Sequence, residues 1–174
     1  MKILTFAEQR DQAFKKSAYE CVKAARDIAD QVQGEVIALV VGHPVRSLAP
    51  TLGGYGASRV VVVDHETLAS YSTTAYATVV AEVAKAVGAD VVMLPATAMG
   101  KDLGPRVAVK LDAGLAVDCT ALNIENGEIV ATRPVYAGKG LTDVKVVSPR
   151  KVFTLRPNVF TAGSPGSAEA PVEE

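Results

Sequence analysis

The sequence predicts an α/β fold: a three-layer, Rossmann-like parallel sheet with helices on both faces, extended by antiparallel strands in its C-terminal third. Three observations lead there. The first two-thirds alternate short apolar runs with longer segments whose apolar residues recur at spacings of three and four. The short runs are continuous rather than alternating, the pattern of parallel strands buried on both faces. And 49% of the 174 residues are apolar with no tryptophan, so valine, alanine, leucine and isoleucine must supply the core.

Taken in order, "KILTFAE" at 2–8 reads as the first strand. A helix is expected over 12–33, because Phe14, Ala18, Cys21, Val22, Ala25, Ile28, Ala29 and Val32 share one face, with Gly34 to end it. "EVIALVVG" is a second, fully buried strand. A short helical piece at 46–53 leads through "GGYGAS" to a third strand, "RVVVVD". A helix over 72–87 carries the stripe Tyr76, Val79, Val80, Val83, Ala84 and Val87, closed by Gly88. "ADVVMLPA" is the fourth strand, and a fourth helix runs over 101–111 with Leu103, Val107 and Leu111 inward. Strand–helix units at this spacing imply right-handed crossovers.

After Gly114 the rhythm changes. Two strand-like runs meet at Asn126-Gly127, the dipeptide that favours a type I′ hairpin turn. "DVKVV" and "KVFTLRP" flank Ser148-Pro149, another turn, and all of these are expected as antiparallel additions to the sheet. One domain is expected over 1–160. Residues 161–174, ending "AGSPGSAEAPVEE", are small, polar and acidic with nothing to bury, and are expected to form a flexible linker or tail.

Charge and composition exclude several classes. A net charge of −1 offers no basic surface for nucleic acid or anionic lipid. No stretch reaches the length of a membrane span, and "MKILTFAEQR" lacks the pattern of a secretion signal, so a cytoplasmic location is expected. Cys21 and Cys119 are far apart and in no metal spacing, which fits two reduced core thiols. His43 and His65 are single histidines after strands, without a second ligand for a metal. No nucleophile elbow or Ser-His-Asp ordering is present, and Glu8, Asp64 and Asp118 read as solvated residues near strand ends.

One stretch remains as a candidate binding site. Gly100, Lys101, Asp102 and Arg106 follow the fourth strand, where open parallel sheets place their ligands. Helix N-terminal amides with Lys101 and Arg106 can hold an anion or nucleotide phosphate. The stretch matches neither GxxxxGK[ST] nor GxGxxG, so the competing reading is a helix start, with Gly100 in the turn and Asp102 and Pro105 early in the helix. "GGYGAS" precedes a strand instead of following one, the wrong order for a phosphate loop.

Three motifs in order, "GKDLGPRVAVKLDAGLAVDCTAL", "RPVYAGKGLTDVK" and "KVFTLRPNVF", together with "FAE" and "GADVVMLPATA", resemble the N-terminal domain of electron-transfer flavoprotein alpha subunits. The resemblance covers about residues 1–160. It implies an alpha–beta heterodimer carrying FAD, which takes electrons from dehydrogenases such as acyl-CoA dehydrogenases and passes them to a quinone oxidoreductase or another acceptor. It also implies a non-catalytic scaffold role for this domain, packed against a beta subunit that binds AMP. The family's flavin motifs "GxSR", "QVGQTG" and "SGAIQH" do not occur here. FAD is therefore expected outside these residues, and the chain is expected to be a fragment, a short paralogue or the partner of a separate flavin domain. The runner-up is a stand-alone adenine-nucleotide binder of the universal-stress-protein type.

Overall fold

Each continuous apolar run forms a strand of one parallel sheet. The protein is described here by a computed structural model covering all 174 residues. In chain order the elements are β1 (Lys2–Phe6), β2 (Gln9–Arg10), β3 (Ala13–Phe14), α1 (Lys16–Gln31), β4 (Glu35–Gly42), a 3-10 segment (Arg46–Tyr55), β5 (Arg59–Asp64), α2 (Thr73–Val87), β6 (Val91–Pro95), α3 (Ala98–Leu111) and β7 (Gly114–Cys119). Then follow β8 (Ala121–Glu125), β9 (Glu128–Val135), β10 (Gly140–Lys145), β11 (Lys151–Leu155) and β12 (Val172–Glu173). The main sheet has the order β12-β5-β4-β1-β6-β11-β7, with every neighbouring pair parallel.

The burial of both sheet faces is visible residue by residue. In β4, Val36, Ala38 and Val40 belong to a core shared with α1, while Ile37, Leu39 and Val41 belong to the core under α2 and α3. This explains why the run shows no polar alternation. The order of strands reverses direction at β1, which has β4 on one side and β6 on the other, so the carboxyl ends of β1 and β6 flank a topological switch point.

Helix boundaries depart from the sequence reading most clearly at α1. Helix α1 starts at Lys16 rather than near residue 12, because Asp11 and Gln12 take left-handed conformations (φ 51° and 60°) in a minor β2–β3 hairpin. The left-handed residue after α1 is Gln33 (φ 52°), not Gly34. Gly34 is needed for a different reason: a Cβ there would lie 2.6 Å from the Met1 carbonyl oxygen. Gly88 (φ 67°) does close α2 as expected.

The C-terminal third is divided between two sheets. The Asn126-Gly127 turn has φ 52° and 79°, both positive as a type I′ hairpin requires, and it joins β8 to β9. Strands β8, β9 and β10 form a separate antiparallel sheet, and its Ile129 and Ala131 join the α1-side core. "KVFTLRP" was expected among these antiparallel additions. It instead enters the parallel sheet as β11, between β6 and β7, with Phe153 opposite Met93 on one side and Ala116 on the other. The excursion β8–β10 takes the place of a crossover helix, so the run from β7 to β11 is a parallel connection after all.

Residues 161–174 also differ from the reading that they have nothing to bury. Ala170 is buried, and Val172–Glu173 pairs in parallel with β5 as the outer strand. The first two glycines of "GGYG" admit this segment: a Cβ on Gly53 would stand 2.3 Å from the Ala170 nitrogen, and one on Gly54 would stand 2.7 Å from the Gly166 carbonyl oxygen. Arg59 ties the edge down through Glu35 at 2.8 Å and Glu173 at 2.6 Å.

Candidate functional site

The cleft at the switch point is built from the loop after β1, the loop before α2 and the first turn of α3. Its lining includes Glu8, Arg10, Lys15, His43, Tyr71 and Met99, around a volume of about 580 Å³. The sequence sets its central feature locally. Thr97 is the N-cap of α3: its hydroxyl oxygen accepts from the Gly100 amide at 3.1 Å and donates to the Glu8 carboxylate at 2.5 Å. Glu8 is only 7% exposed. The positive end of the α3 dipole thus faces a carboxylate from its own chain, which takes the place an external phosphate would occupy.

The structure places residues 100–106 in the first turns of α3. Helix α3 begins at Ala98, so Gly100, Lys101, Asp102 and Arg106 all lie within it and form no loop. Gly100 is required by packing, since a Cβ there would sit 1.7 Å from the Pro95 carbonyl oxygen. Asp102 accepts hydrogen bonds from the Tyr71 hydroxyl at 2.8 Å and from the Thr73 hydroxyl, and pairs with Arg106 at 3.5 Å. Asp102 therefore ties α3 to the start of α2, and Arg106 pairs with it from the next turn of the same helix. Lys101 is exposed and lies toward Asp118, on another side of the helix. The structure does not bring Lys101 and Arg106 together around a common ligand position.

Like Glu8, the other two acidic residues read as solvated are engaged. Asp64 accepts from the Val45 amide at 2.7 Å and the Arg46 amide at 3.2 Å, and pairs with His43 at 2.7 Å. His43 therefore has a carboxylate partner that lies too far away in sequence to be seen there. Asp118 has φ 59° where the β7–β11 register slips; its amide donates to the buried Thr154 hydroxyl at 2.9 Å. Its carboxylate takes a two-point contact from Arg156, at 3.0 Å and 2.5 Å. The sequence carried one signal for this second cluster: two Arg-Pro dipeptides, at Arg133 and Arg156, each at the end of a strand-like run.

These contacts hold three carboxyls below their usual value. Asp64 is lowered chiefly by the Val45 amide, Asp102 by the Thr73 hydroxyl, and Asp118 by the Arg156 guanidinium. A carboxyl depressed in the folded state contributes stability above its ordinary pKa and loses that contribution as pH falls through the depressed value. Melting temperature is expected to stay level from neutrality down to about pH 5 and to fall below about pH 4. Scanning calorimetry against pH checks this, with a shallower acid limb expected for Asp118→Asn.

The cysteines are free and buried, and burial pushes the Cys119 thiol up to about 12, so neither is a ready nucleophile. No group of three or more His, Cys, Asp or Glu is placed to hold a metal ion, and no helix is long and apolar enough to cross a membrane.

Comparison with known proteins gives a consistent result. The family model described as "Electron transfer flavoprotein domain" matches residues 3–174. The chain is 40% identical over 160 residues to "Electron transfer flavoprotein subunit alpha" of Thermoanaerobacterium thermosaccharolyticum, covering 91% of this chain and 48% of that protein. It is 35% identical over 161 residues to the protein of the same description from Clostridium acetobutylicum, with 91% and 48% covered. It is also 39% identical over 128 residues to "Acryloyl-CoA reductase electron transfer subunit beta" of Anaerotignum propionicum, covering 74% of this chain and 35% of that one. The chain spans about half the length of the electron transfer flavoprotein alpha subunits it matches. With the parallel sheet, the capped α3 and a match spanning nearly every residue, the chain belongs to the electron transfer flavoprotein domain family.

Proposed function

We propose that this chain is the scaffold domain of an electron-transfer flavoprotein alpha subunit, working in the cytoplasm and packing against a beta subunit. The observation that carries this reading is the family match over residues 3–174, joined to alpha-subunit relatives at 35–40% identity. In that role it is a carrier subunit with no reaction of its own. The complete protein takes electrons from dehydrogenases, acyl-CoA dehydrogenases among them, and delivers them to a quinone oxidoreductase or another acceptor. The outward apolar residues Tyr136 and Leu141, at 85% and 69% exposure, offer area for a partner subunit to cover.

The residues of this chain do not fit a flavin dinucleotide. At the switch point its diphosphate would meet the Glu8 carboxylate, the Gly100 amide is already used by Thr97, and the Pro95 carbonyl fills the space a glycine loop would leave. The same obstacles count against the adenine-nucleotide reading. In this reading FAD is held elsewhere in the complete protein, and AMP by the beta subunit, as the family resemblance implies.

Co-expression with the cognate beta subunit tests the reading. A co-purifying complex is expected, either with this chain alone or with the whole alpha subunit. Failure of both to form one overturns it. The isolated 174-residue chain is expected to be colourless. A flavin absorption spectrum in the purified chain would contradict the assignment, as would stabilisation by AMP, ADP or ATP beyond that given by inorganic phosphate at the same concentration in thermal-shift assays.

A further inference from the structure

We infer that the cavity between β9, the end of β7 and Arg156 is a binding site for a small oxyanion, the carboxylate or phosphate group of a metabolite. This site lies away from the switch-point cleft and does not rest on the electron-carrier reading. It has a volume of about 450 Å³ and is lined by Asp118, Arg133 and Arg156 and by the turn running from Tyr136 to Gly138.

Two guanidinium groups face one carboxylate there, and that carboxylate is fully engaged by Arg156. Arg133 is left without any ion pair or side-chain hydrogen bond, although its Nε is buried from solvent. An unpaired buried donor on a charged group is costly, about 1–3 kcal/mol or more, and native proteins seldom retain one without a partner. The Nε itself is closed to solvent, but the terminal amino groups of the same guanidinium have no protein partner either, and their planar fork at the cavity suits the paired oxygens of a carboxylate or phosphate. Lys101, whose charge acts on Asp118, adds positive potential at the rim.

The turn supports the same reading. Tyr136, Ala137 and Gly138 are all left-handed, with φ 50°, 53° and 86°. Two consecutive non-glycine residues in that region carry conformational strain of about 1 kcal/mol each, which the bare hairpin has no reason to hold. Here it folds the backbone over the arginines and forms one wall of the cavity.

The test is calorimetric titration of the 174-residue chain with inorganic phosphate and, separately, succinate, each against sodium chloride at matched ionic strength. The chain has continuous cores on both faces of its sheet and serves as its own folding unit for this purpose. At least one of the two anions is expected to bind above the chloride control, and which one identifies the phosphate or carboxylate source. Arg133→Gln is expected to weaken that binding by about tenfold or more. Asp118→Asn frees Arg156 and is expected to tighten it. In the wild-type chain, the Arg133 Nε resonance should shift on titration, which covers the case of a variant that folds poorly. No binding above chloride, unaltered binding to folded Arg133→Gln, or resonance shifts confined to other surfaces would each overturn the site.

Discussion

Phe153→Ala is expected to cost about 4 kcal/mol, the largest loss from a single truncation proposed here. Phe153 is wholly buried on β11, paired with Met93 of β6 and Ala116 of β7, and belongs to the core on the α1 side. Its removal leaves a cavity inside a sheet that cannot collapse easily, because both neighbouring strands are held by backbone pairing. For a chain of this length, a loss of that size lowers the melting temperature by roughly 8–16 °C. Urea denaturation of the variant beside Phe160→Ala, a partly buried ring packed at the margin of the same core, checks the ranking. Equal midpoints for the two variants would mean that β11 is not the interior strand described.

Gly100→Ala is expected to cost about 3 kcal/mol, with a melting temperature lower by roughly 6–12 °C. The direction matters more than the size. Alanine within a helix normally gains up to about 1 kcal/mol over glycine, so a surface glycine of α3 would be stabilised by the change. At Gly100 the added Cβ would stand 1.7 Å from the Pro95 carbonyl oxygen, a backbone atom of the sheet that has no rotamer to yield. The helix must therefore lift from β6, and the Thr97–Glu8 contact lifts with it. Gly104→Ala should cost less, because its Cβ would meet the Thr154 methyl at 2.9 Å, a side chain able to give slightly. A stabilised Gly100→Ala would restore the loop reading of this stretch and remove the packing explanation.

Gly100 also illustrates what a sequence pattern leaves open. A glycine, a lysine and an arginine after a strand favour a helix start by their spacing, but as a string of letters they leave a phosphate-binding turn open. What separates them is where Glu8 lies, and Glu8 is 89 residues before Thr97 in the chain. Its carboxylate meets the helix N-terminus only because β1 and β6 are neighbours in the sheet. The pairs His43–Asp64 and Asp118–Arg156 were likewise invisible, since 21 and 38 residues separate the partners. No local spacing rule reaches so far.

The tail and β11 show the same limit in strand pairing. "KVFTLRP" has the apolar content of an interior strand, but nothing in the letters says which neighbours it will find. Its parallel place between β6 and β7 depends on the antiparallel excursion β8–β10 being long enough to return the chain to the space between them. The terminal segment looks too polar to order, and it docks through backbone groups against two glycines rather than through large side chains.

By itself the sequence determined the α/β class, the parallel strands, the type I′ turn at Asn126-Gly127 and the family. These follow from periodicity, unbroken apolar runs, turn chemistry and motif order, all of which act over a few neighbouring residues. Only the tertiary structure decided that Glu8 occupies the α3 terminus, that Lys101 and Arg106 diverge, that β11 joins the parallel sheet and that Arg133 stands unpaired in a cavity. Those outcomes depend on which distant segments the sheet order brings within hydrogen-bonding reach, and contacts of that kind are set by topology rather than by local propensity.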